Sequence, residues 1–99
     1  MKLDTKQKVL VAIYTEYQND IPNMSNNIKA SELGIDGEVF AIALYKLMNE
    51  GLIRGVNFVK VKHKIVATYL DELMMTRDGI DYVETKIGIE KTLSGMEKV

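Results

Sequence analysis

No cysteine occurs anywhere in the chain, which excludes disulfides, thiolate zinc sites and cysteine nucleophiles together and suits a reducing compartment. The single histidine is His63, so any metal site would rest on carboxylates alone, and no metal or cofactor is expected. Neither charge sign dominates: 13 basic against 14 acidic residues give a net charge of −1. No whole-molecule field therefore draws in nucleic acid or an anionic membrane, and any such attraction must be local. The polar start, Met1 to Thr5, is followed by no apolar run of signal or membrane-span length. Neither export nor membrane insertion is indicated, and a cytoplasmic address is expected.

Catalytic constellations are lacking too. Ser25, Ser31 and Ser94 have no histidine in a neighbouring element, and glycines 34, 37, 51, 55 and 79 do not make a phosphate-cradling motif. Paired acids such as Asp71-Glu72 and Asp78 with Asp81 read as a solvated strand end and a helix first turn. No enzyme and no small-molecule substrate are expected.

What is present is a 99-residue chain that is 46% apolar and 27% charged, the composition of one small globular domain. Such a length buries roughly 60% of its unfolded surface, enough for one core but not for a core and a large enclosed cavity. Asp4 or Thr5 can cap a first helix, with Gln7 placed to complete a capping box, and Val9, Leu10, Ile13 and Tyr17 follow at helical spacing to about Asn19. Residues 19–27 hold four asparagines, Asp20, Ser25 and the only proline, and read as a connection. Residues 28–33 form a short second helix stopped by Gly34. Asp36 caps a third, whose residues Phe40, Ala43, Leu44, Leu47 and Met48 share one face before Gly51 ends it. Residues 52–61 and 65–70 then read as two strands of a hairpin, and Leu73-Met74-Met75 breaks the alternation. The turn near Lys62 to Lys64 lacks the Asn-Gly or Asp-Gly pair of a tight hairpin. Thr76 opens a last helix with Ile80, Val83 and Ile87 as its stripe and Gly88 as its stop.

Three helices followed by a β-hairpin is the order of the winged helix-turn-helix, an α+β fold in which the hairpin is the wing. Lys29-Ala30-Ser31-Glu32-Leu33-Gly34-Ile35 resembles its short second helix and turn. Leu47-Met48-Asn49-Glu50-Gly51-Leu52-Ile53 resembles the exit from its third helix, and Thr76-Arg77-Asp78-Gly79-Ile80-Asp81-Tyr82 resembles the threonine, glycine and tyrosine pattern after the wing in one subset. Together they are similar to the small YjcQ-like family of winged-helix proteins of Gram-positive bacteria and their phages, over roughly residues 6–88. The resemblance implies the winged-helix fold for residues 1–88 and a role in binding DNA or protein, with no catalytic residues. Residues 89–99 form a tail in which Ile89, Leu93 and Met96 fall at helical spacing, too short to stand alone as a helix.

On this reading the chain is a small bacterial or phage regulator bound to double-stranded DNA. The exposed face of the third helix would present Gly37, Glu38, Ala41, Ile42, Tyr45 and Asn49, with Lys46 its only cation against Asp36, Glu38 and Glu50. That face reads bases poorly. The wing compensates: Arg54, Lys60, Lys62 and Lys64, with His63 among them, occupy a stretch without an acid and make a phosphate-contacting arm. Lysines alternating along a strand are equally what a solvated, aggregation-resistant edge requires. Ile42 and Tyr45 would form an interface, as a homodimer seam with Ile89, Leu93 and Met96 or beneath the tail or amino terminus. The competing reading is a protein-interaction module that uses this apolar face.

Overall fold

The computed structural model describes residues 3–88. Helix α1 (Thr5–Tyr17) starts where its sequence signals it should. Asp4 accepts from the Gln7 amide and Gln7 accepts in return from the Asp4 amide, closing the capping box. Its face of Val9, Leu10, Ile13 and Tyr14 is the centre of the core and lies against α4 (Gly37–Asn49). Helix α4 corresponds to the third helix of the sequence pattern. The Asp36 carboxylate accepts from the amides of Glu38 and Val39, and Phe40, Ala43, Leu44 and Leu47 are buried along its inner face.

Residues 19–27 are not wholly a connection: Met24–Asn27 forms a single helical turn, α2. Asn23 caps it, accepting from the Asn26 amide, while Met24 enters the core at 4% exposure. Glu16 holds the turn to α1. Its carboxylate accepts from the Asn23 amide and from Asn27 Nδ2, both at 2.9 Å, and these bonds keep its pKa below the ordinary carboxylate value. Helix α3 (Ala30–Leu33) then ends at Gly34, whose φ of 69° is the left-handed stop anticipated for it.

The extended segment after α4 is divided where one long strand was expected. Ile53–Arg54 (β1) pairs antiparallel with Met74–Met75 (β4), whereas Asn57–Val61 (β2) pairs with Lys64–Tyr69 (β3) to make the hairpin. Gly55 causes the division. Its φ is 87°, and a Cβ there would lie 1.9 Å from the carbonyl oxygen of Glu72, so the loop leading into β4 crosses directly over it. The break in alternation at Leu73-Met74-Met75 has the same origin, because Leu73 and Met75 turn into the core as the chain returns to β1.

Thr76 ties this return to the end of α4. Its hydroxyl donates to the Gly51 carbonyl and accepts from the Gly79 amide, capping α5 (Arg77–Asp81). The final segment, Tyr82–Ile87, widens to π-helical winding instead of continuing α-helical to Gly88. Thr85 donates its hydroxyl to the Asp81 carbonyl four residues back, the side-chain competition that loosens a helical turn. Tyr14 donates to Glu84 at 2.6 Å, tying the widened turn to α1. The whole is α+β with a two-stranded antiparallel hairpin, an arrangement compatible with a winged helix. Among the described residues no helix is long and apolar enough to cross a membrane. The tail residues Ile89, Leu93 and Met96 lie outside the described residues.

Candidate nucleic-acid interface

The hairpin closes in a two-residue turn at Lys62 and His63, between the paired residues Val61 and Lys64. Both turn residues have positive φ, 51° and 70°. That is the backbone of a tight primed turn, which normally selects Asn-Gly, built here from residues that carry long or aromatic side chains. Each left-handed non-glycine costs roughly 1 kcal/mol, and such cost at an exposed tip points to a use for the side chains. Lys60, Lys62, His63 and Lys64 are all exposed and gathered at this tip. Arg54 is not among them, because it sits exposed on β1 opposite Met74, in the other sheet.

The hairpin lies down on α4. The contact is made by Phe58, whose ring meets Tyr45 edge to face, with centroids 5.5 Å apart at 80°. Lys60 Nζ lies 4.4 Å from the centre of the Tyr45 ring and donates to its hydroxyl at 3.4 Å. Asn49, one turn along α4, and Lys60 together hold the Tyr45 hydroxyl below the ordinary phenol pKa by hydrogen bonding to it. Sequence alone placed Tyr45 and Ala41 on an open helix face. Tyr45 is instead half-buried beneath the hairpin, and Ala41 is 8% exposed. The periodicity of a helix identifies the face that meets α1 but says nothing of a strand pair returning over its flank.

Other residues of the α4 face are open. Glu38, Lys46 and Asn49 are exposed, and Ile42 is 43% exposed with Val39 at 44% beside it. A cleft of about 370 Å³ separates the helix from the hairpin tip, walled by Glu38, Ile42 and Tyr45 on one side and by Lys60, His63 and Lys64 on the other. Val39 and Phe58 join the site through tertiary placement: no alternation of polar and apolar residues in Asn57 to Val61 singles out Phe58. Among the described residues no group of three His, Asp or Glu side chains converges as metal ligands would.

A family model described as YjcQ protein matches residues 7–99. The chain belongs to the YjcQ family. No curated protein and no solved structure matched it. The threonine, glycine and tyrosine of the Thr76 to Tyr82 segment have physical roles. Thr76 bonds to Gly51, Gly79 lets the Leu52 carbonyl approach to where a Cβ would be only 1.9 Å away, and the Tyr82 hydroxyl accepts from Gln7 of α1 at 3.5 Å. In this YjcQ protein the motif therefore fixes the base of the hairpin to the helices; it does not itself reach the tip.

Proposed function

We propose that this YjcQ protein is a winged-helix protein that binds double-stranded DNA through phosphate contacts of the wing tip, acting as a small transcriptional regulator and not as an enzyme. The tight turn carries the reading: two left-handed non-glycine residues, Lys62 and His63, are held between Lys60 and Lys64 with no acid in residues 54–64. A turn selected for stability alone would use Asn-Gly, whereas an arm selected for phosphates keeps its cations. Three lysines that each neutralise a phosphate give a logarithmic salt slope of about −3.

Anisotropy of a labelled duplex of roughly 30 base pairs, titrated across a salt series, tests this reading. The expected result is binding that weakens with that slope and is lost when Lys60, Lys62 and Lys64 become Glu. Absence of duplex binding by the folded protein at low salt rejects it. The exposed pair Val39 and Ile42 favours a second reading, a protein-binding or homodimer seam on α4. There Ile42→Asp abolishes association while the lysine changes are tolerated.

A further inference from the structure

A second cleft, also of about 370 Å³, adjoins the first and shares Glu38, Lys64 and Ile65 with it. Its floor is the start of α4, with Gly37, Glu38, Phe40 and Ala41, and its wall is five consecutive residues of β3, Lys64 to Thr68. Alternate side chains of a strand project to opposite faces, so no single face presents five neighbours in a row; the main-chain edge of the strand does. Among the described residues β3 pairs only with β2, which leaves that edge with unpaired N–H and C=O groups facing the groove.

Proteins usually blunt such an edge with charge or a bulge. Lys64 and the extra residue Val66, which has no counterpart between Val59 and Lys60 on β2, go part of the way. Yet the strand also holds Val66 at 56% and Tyr69 at 54% exposure, and its edge overlies the largely buried Phe40 and Ala41. A solvated edge needs neither an apolar floor nor exposed apolar neighbours. A third strand uses both.

Charge and direction narrow the occupant. The end of the groove near the tip carries Lys60 and Lys64, with Lys62 just beyond, and Glu38 is the one carboxylate lining it. A segment added antiparallel to β3, the more stable pairing, runs its carboxyl end toward Lys64, the first residue of the strand. The geometry points to a strand-addition site on β3, over the start of α4, for a short extended segment of another protein that alternates β-branched polar and apolar residues in its first part and is acidic toward its carboxyl end. A second copy of this hairpin is disfavoured as occupant, since residues 57–69 bring only positive charge to it.

The test uses the full chain and a fluorescein-labelled peptide, Thr-Val-Thr-Val-Asp-Glu, beside the same peptide methylated at alternate backbone nitrogens. Saturable binding is expected, with amide resonances of residues 64–68 and 37–41 shifting together. Methylation should weaken it at least tenfold, because charge and side chains are kept while main-chain pairing is blocked. Glu38→Gln should tighten binding about two- to fivefold by removing one repulsive carboxylate, and the paired change Lys60→Glu with Lys64→Glu should weaken it about tenfold. Equal binding of the methylated peptide, shifts confined to the lysine tip, or no saturable binding each overturns the proposal. Duplex affinity is measured separately and is indifferent to peptide methylation, so failure of the DNA reading is distinguished from failure of this one.

Discussion

Single atoms decide two positions in this chain. Gly79 lies inside α5, where alanine normally gains roughly 1 kcal/mol of helix stability. Here the added methyl would meet the Leu52 carbonyl oxygen at 1.9 Å and the Met75 side chain at 3.1 Å. The backbone neighbour cannot yield without moving β1 from β4, so Gly79→Ala is expected to destabilise by about 2 kcal/mol or more, within the range of overpacked cores. Urea unfolding of the variant checks this, and a gain in midpoint would show that the approach of Leu52 is not enforced. Glu16 makes the converse case, a nearly buried carboxylate that is useful because it is charged. Its pKa is lowered by the Asn23 amide and the Asn27 side chain. The stability it supplies is therefore present above the unfolded-state carboxylate pKa and is lost as pH falls through the lower folded-state value. Glu16→Gln should cost about 1–2 kcal/mol at neutral pH. The difference from wild type should close in acid, as followed by denaturant unfolding at several pH values.

At the scale of elements, local chemistry wrote the helix ends plainly and left the returns of the chain obscure. Asp4 with Gln7, Gly34, Asp36 and Thr76 all act at the positions their side chains or backbone freedom suggested. The Met24–Asn27 turn was hidden because four asparagines favour loops on local grounds, whereas a core site for Met24 and a partner in Glu16 decide for a helix. The β1–β4 pair joins residues some twenty positions apart, and no periodicity announces it. The candidate site divides likewise: the clustered lysines were legible, while the hairpin closing on Tyr45 and the open β3 edge depend on tertiary placement. Two element-level outcomes follow. Replacing Lys62 with Asn and His63 with Gly relieves two left-handed residues and should stabilise the hairpin by about 1–2 kcal/mol. Thermal unfolding should show the gain, while duplex affinity falls, and a rise in both would remove the functional reading of the strained tip. Tyr14, desolvated by burial and hydrogen-bonded to Glu84, has its pKa pushed up to about 12. A raised pKa means its contribution is whole below the unfolded-state phenol value near 10 and is lost as pH climbs through the folded value. Tyr14→Phe should cost about 1.5–3 kcal/mol at neutral pH, the range for a hydrogen bond to a charged group. It should also flatten the alkaline limb of the stability profile.

Across the whole molecule the near-zero net charge conceals a separation. The hairpin, residues 57–69, holds three of the 13 basic residues and none of the 14 acidic ones, which leaves ten basic against 14 acidic in the rest of the sequence, +3 against −4. A polyanion approaching this protein is drawn to the hairpin and repelled by the helical body, and at ordinary salt the repulsion is screened beyond roughly 8 Å. Under the proposed function the tip leads the approach to the duplex and α4 follows. Helix α4 offers Lys46 as its single cation, flanked by Glu38 and Glu50, and Glu50 is already paired with Lys6 of α1. Lys62→Glu is accordingly expected to lower duplex affinity about tenfold, since it both removes a proposed phosphate contact and adds a repulsive charge at the proposed point of approach. Lys46→Glu makes the same change of charge on the same molecule and should lower affinity no more than about threefold. Both variants alter the net charge equally, so the comparison isolates position from total charge. Equal losses, read by anisotropy at one salt concentration, would place α4 against the phosphates and make the helix, not the hairpin tip, the leading surface.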